Sequence, residues 1–130
     1  MIKRKFLLLT LVAAFSIFCG YAQDADEWDY PVKPGSEVWK SFTTYEQKAD
    51  ALQIPDIVLK KMSTKHLAEV CVNYPMMGDW FFFDDPNVFI NNLAQKFNGL
   101  CELTERSSCA EELISIFMDY KLDNNKIVNN

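Results

Sequence analysis

The chain has 130 residues, 49% hydrophobic, 24% charged and 14% aromatic, with a formal net charge of −5. Those proportions exclude a disordered tail, a collagen-like fibre and a multidomain enzyme, and they fit one small globular domain. The charge is uneven: residues 1–22 hold Lys3, Arg4 and Lys5 and no acid, so residues 23–130 carry ten basic against eighteen acidic side chains, a net −8 that disfavours a nucleic-acid partner.

The basic start is followed by an apolar run from Phe6 to Phe18, broken only by Thr10 and Ser16, and then by the small residues Gly20 and Ala22. That order predicts a signal peptide over residues 1–22, cleaved after Ala22. As a membrane anchor the run falls short of the roughly 20 residues a span needs. Cys19 raises a lipoprotein alternative, but Phe18 and Ser16 stand where that processing wants a small residue and an apolar one. The working protein is thus expected to be secreted or periplasmic, with no stable membrane span.

Residues 23–35 are acidic and punctuated by Pro31 and Pro34, which reads as an extended lead-in. A helical domain is expected over residues 36–122. Ser36 opens an amphipathic helix with Trp39, Phe42, Tyr45, Ala49 and Leu52 on one face. Pro55 suits the first turn of a short second helix through Met62. Ser63 N-caps a third, with Leu67, Val70, Cys71 and Tyr74 as its buried stripe, and Pro75 stops it.

The stretch from Met76 to Phe83 has no clear period and reads as either a short buried helix or an aromatic loop. Asp85 followed by Pro86 begins a helix to Phe97, with Phe89, Leu93 and Phe97 on one face, widened by Ile90 and Ala94. Asn98-Gly99 reads as a stop, Gly99 being free to take the left-handed cap conformation. A shorter helical piece follows through Glu105. Ser108 and Glu111 form a capping-box pattern for a last helix whose core face is Leu113, Ile114, Phe117 and Met118. Residues 123–130 are polar and expected to fray. No strand alternation bounded by hairpin chemistry occurs. The expected fold is all-α, a small bundle of five to seven helices, several of them short.

Past the signal segment three cysteines remain, Cys71, Cys101 and Cys109. Cys101 and Cys109 are close in sequence and flank a helix break, so they are the candidate disulfide. The competing reading has all three buried as small apolar residues, which the odd count favours. There is no CxxC spacing and one histidine, so neither a zinc nor an iron–sulfur site is expected, and no cofactor is implied.

His66 would need an orienting acid to act as a base, and Glu69 lies one helical turn on; a solvated helix face is the simpler account. Asp79, Asp84 and Asp85 cluster near the aromatic run but lack an EF-hand pattern, and Asp85 already serves as a helix cap. GxSxG, HExxH and phosphate-cradling glycine loops are absent. The candidate binding residues are Met77, Trp80, Phe81, Phe82 and Phe83. Exposed, they form a platform for a partner helix, a peptide or a carbohydrate; buried, they plug the centre of the bundle.

The order Ile54-Pro55, Leu59-Lys60-Lys61-Met62-Ser63-Thr64, Leu67, Cys71, Asn73-Tyr74-Pro75 and Phe97-Asn98-Gly99-Leu100 resembles a group of exported helical segments from Bacteroidota-type bacteria. The likeness covers most of residues 30–122. It implies compartment and helical architecture and no catalytic residue, since no activity is assigned to that group. The expected role is non-catalytic: a protein- or peptide-interaction module whose partner is another envelope or secreted protein. The alternative is a small hydrolase or an accessory domain of an envelope enzyme.

Overall fold

The computed structural model describes residues 24–128. The expected signal peptide, its cleavage point and Cys19 lie outside them. The described residues form seven α-helices and two 3-10 helices, without a strand. The chain is all-α.

The lead-in is part of the core. A 3-10 turn at Ala25–Glu27, capped by the Asp24 carboxylate, places Ala25, Trp28 and Tyr30 against the bundle, all buried. The Tyr30 hydroxyl donates to the Val70 carbonyl at 2.8 Å, and Asp26 accepts from the Ser63 N–H at 2.7 Å. The acidic, proline-marked composition of residues 23–35 conceals this docking, which is carried by two aromatic side chains.

The single helix expected from Ser36 is two. Helix α1 (Glu37–Ser41) begins where expected, with Ser36 Oγ accepting from the Trp39 N–H, but ends at Phe42. Thr44 restarts the chain as α2 (Tyr45–Ala51) through a full capping box with Gln47. That box satisfies two backbone donors at once, so it outweighs an apolar spacing that runs through the break. Helix α3 (Asp56–Leu59) is one turn with Pro55 at its N-cap. Its open end is closed by Arg106, whose guanidinium donates to the Met62 carbonyl at 2.7 Å and the Leu59 carbonyl at 2.9 Å while Nε holds Glu102.

Helix α4 (Thr64–Val72) is capped by Ser63 and buries Leu67, Ala68, Val70 and Cys71. A 3-10 helix over Met77–Phe82 follows. Helix α5 (Pro86–Lys96) starts at the Asp85 cap and buries Phe89 and Leu93; Ile90, expected to widen that face, is exposed. Helix α6 (Asn98–Glu105) begins at the dipeptide expected to end α5. The break is Phe97, held extended at φ −117°, and Gly99 is helical. A Cβ on Gly99 would stand 2.4 Å from Phe97 Cζ and 2.8 Å from Ile54 Cδ1, so the glycine serves close approach, not a left-handed cap.

Helix α7 (Cys109–Val128) follows directly after Ser108 and continues past Leu122, so the tail is helical as far as Val128. It packs on α4 and α6, and α6 bridges α4 and α5. Its core side is Cys109, Leu113 and Ile116. Ile114, Phe117 and Met118, expected to face inward, are exposed. At about 100° per residue the two sets are roughly 120° apart round the helix, and only one can meet α4. The centre of the bundle is Leu52, Ile54, Leu67, Phe97 and Leu103. Tyr30 and Tyr74 pack edge to face beside it, and Tyr74 meets Phe97 at a tilt with centroids 4.6 Å apart.

Candidate functional site

The Met77–Phe82 turn cannot tuck its whole aromatic run inward, because consecutive residues on a 3-10 helix point about 120° apart. Met77 packs on the core. Phe81 and Phe82 stand out, 75% and 87% exposed, and Phe83 is at the boundary, its ring 5.3 Å from that of Phe89. Trp80 lies within the same turn. Of the candidate binding residues, then, Phe81, Phe82 and Phe83 reach the surface while Met77 supports the turn from beneath.

Phe82 and Phe83 form one wall of a cavity of about 510 Å³. Helix α5 supplies the facing wall with Phe89, Asn92, Leu93 and Lys96, which the helical repeat sets on one stripe. Tyr45 and Glu46, at the start of α2, close one end, and Asp79 enters from the 3-10 turn. The capping box at Thr44 therefore positions the site as well as the helix: it turns the chain so that Tyr45 meets α5. Lys96 extends its ammonium over the Tyr45 ring, 4.8 Å from the centroid. Burial pushes the Tyr45 phenol above its ordinary range, and the nearby Asp79 and Glu46 carboxylates add to it.

Tyr74, in the core against Tyr30 and Phe97, is 3% exposed, and its hydroxyl finds no hydrogen-bond partner among the described residues. Burial raises its pKa first, and then the Tyr45 and Asp79 side chains add to it. A buried hydroxyl without a partner is a cost of about 1–3 kcal/mol. Sequence spacing sets Tyr45 on a core-facing stripe, whereas it is exposed at the cleft, and spacing singles out neither Asn92 nor Lys96. Their convergence depends on how α2 meets α5.

The other candidates are separate from it. His66 lines a depression of about 260 Å³ with Asp26 and Glu69. Its Nε2 lies 2.9 Å from the Trp28 carbonyl and so holds the N-terminal segment on α4, while its Nδ1 lies 3.3 Å from Glu69 Oε2 within α4 itself. Asp85 caps α5 through the Asn87 N–H at 2.8 Å. All three described cysteines are free: Cys71 is buried, Cys109 partly so and Cys101 exposed, and the candidate bridge between Cys101 and Cys109 is not formed. No described helix is long and apolar enough to cross a membrane. The exposed Ile114, Phe117 and Met118 on α7 make a second apolar surface that the single-face reading of that helix misses.

No family model, curated protein or solved structure matches the chain.

Proposed function

We propose that this is an exported binding module that recognises a protein or peptide segment through the aromatic cleft between the Met77–Phe82 turn and α5. The observation that carries the reading is the exposure of Phe81 and Phe82 beside a cavity walled by Phe83 and Phe89. Contiguous exposed apolar surface marks an interaction site, and aromatic anchors around a pocket are what interfaces use. The role proposed is binding without catalysis, with the Nε2 of the one histidine spent on the Trp28 carbonyl within the fold. Export rests on residues 1–22, whose basic, apolar and small-residue order fits a cleaved signal. The mass of the mature N-terminus tests it: a start at Gln23 is expected, and an acylated Cys19 would overturn the assignment.

The binding reading is tested by placing a photo-crosslinking side chain at position 81, with position 65 on the exposed side of α4 as control. A discrete crosslinked partner is expected from position 81 alone, and it should disappear when Phe82 is changed to serine in a protein that keeps its helical spectrum. Identical products from both positions would overturn the reading.

A further inference from the structure

The cleft is lined by rings but is not neutral. Glu46 and Asp79 bring two carboxylates to it, and the one lysine on its wall, Lys96, is laid over the Tyr45 face. A cation on that ring is the arrangement an aromatic face favours, because the face of the ring carries negative electrostatic potential. Lys96 thus already demonstrates, from within the chain, that the Tyr45 face accepts an ammonium. It does so on a long, flexible arm that a better-placed cation can displace. The surroundings have the same sign, since residues 23–130 carry a net −8.

Resting on the binding reading above, we infer that the cleft takes an arginine or lysine side chain from an apolar peptide segment of a partner, with Glu46 and Asp79 pairing the cation, Tyr45 stacking on it, and Phe82 and Phe83 covering the flanking apolar residues. The site would hold one basic side chain, not a basic tract, because the cavity is about 510 Å³ and has carboxylates at two positions. An anionic ligand is disfavoured: it would meet two carboxylates for one ammonium.

The test titrates the purified protein with an N-acetylated hexapeptide of leucine and arginine, with glutamine and glutamate in place of arginine as controls, followed by amide resonances and calorimetry. The arginine peptide is expected to shift Tyr45, Asp79 and Asn92, with binding that weakens as salt rises. Asp79→Asn and Glu46→Gln should each weaken it about tenfold, the scale of one charge-assisted contact. Lys96→Met should tighten it, because the resident cation is removed. Equal binding of the glutamine peptide would overturn the cation inference and leave the aromatic binding site standing. Preference for the glutamate peptide, or weakening by Lys96→Met, would reverse the charge assignment. Failure of every peptide to shift the cleft would also overturn the inference, while the crosslink from position 81 would still judge the binding reading separately.

Discussion

The side-chain amide of Asn98 satisfies both backbone groups of Ile54, accepting from the Ile54 N–H at 3.0 Å through Oδ1 and donating to the Ile54 carbonyl at 2.7 Å through Nδ2. Gln53 returns the pattern, accepting from the Asn98 N–H at 3.0 Å and donating to the Lys96 carbonyl at 2.8 Å. The Gln53 amide thus stands in for helical hydrogen bonds where α5 breaks into α6, and the Asn98 amide does so for the backbone of Ile54. They also hold the α2–α3 connection against that break, next to the wall that carries Lys96. Changing Asn98 to alanine leaves the polar backbone of a 1%-exposed residue without partners, for an expected loss of about 1–3 kcal/mol. Asn98→Asp should cost at least as much, because an oxygen would then face the Ile54 carbonyl. Urea unfolding of both variants checks this, and an unchanged midpoint for Asn98→Ala would show that water replaces the amide there.

Gly99 gives a prediction whose sign is decided by two opposed effects. Alanine is the better helix former by up to about 1 kcal/mol. Its methyl, however, would overlap the ring of Phe97 and the end of Ile54, both about 1% exposed and unable to swing into solvent. Overpacking of a filled core costs about 1–3 kcal/mol. Gly99→Ala should therefore lower the melting temperature. A rise would mean that propensity dominates and that the close approach relaxes easily.

These two positions also mark where the sequence stops being readable. The caps at Ser36, Ser63 and Asp85 are local, each side chain bonding a backbone N–H two or three residues on, and each was foreseeable from residue type. The α4 stripe and the Phe89–Leu93–Phe97 face follow from spacing alone. Asn98-Gly99 misleads because its local meaning, a helix stop, is overridden by partners more than forty residues away. The Thr44–Gln47 box is local, yet an apolar spacing continuous across Phe42 and Tyr45 masks it. The aromatic run was recognisable as a candidate, but its exposure was not. A 3-10 turn follows no apolar period, and the cleft's second wall belongs to an element that begins after it.

Acid should loosen the N-terminal segment. The Ser63 N–H bond to Asp26 holds its carboxyl below the ordinary 3.8, and Lys33 does the same for Asp29. A carboxyl whose folded pKa lies below its unfolded value adds stability above that value and loses it as pH falls through the folded pKa. Wild-type stability should therefore drop below about pH 4 more steeply than that of Asp26→Asn. Thermal melts at intervals from pH 7 to pH 2 read the difference directly, and parallel curves would remove Asp26 from the linkage.

The thiols should react in order of burial. Cys101 is exposed, whereas burial, reinforced by Cys109, pushes the Cys71 thiol up to about 12. Thiolate is the reactive form, so Cys71 should stay unmodified at pH 8 until the protein unfolds. Iodoacetamide labelling without reductant, followed by peptide mass mapping, is expected to modify Cys101 first and Cys71 last. A protein two hydrogens lighter, with Cys101 and Cys109 both protected, would instead reveal the bridge that their sequence proximity allows.

Helix α7 separates the two meanings of an apolar residue within one element. Leu113 and Ile116 pack against the core, while Ile114, Phe117 and Met118 are more than half exposed. Leu113→Ala should cost about 1–2 kcal/mol, below the roughly 2–5 of a fully buried leucine because the site is only partly enclosed. Ile114→Ser and Met118→Ser should leave the unfolding midpoint within about 0.5 kcal/mol, the usual range for exposed positions. The spacing of apolar residues along α7 would assign equal losses to Leu113 and Ile114, so urea titration of that pair discriminates between the two orientations. Equal destabilisation would mean that the helix is rotated, or that the outer stripe is covered in solution by a surface that contributes to folding.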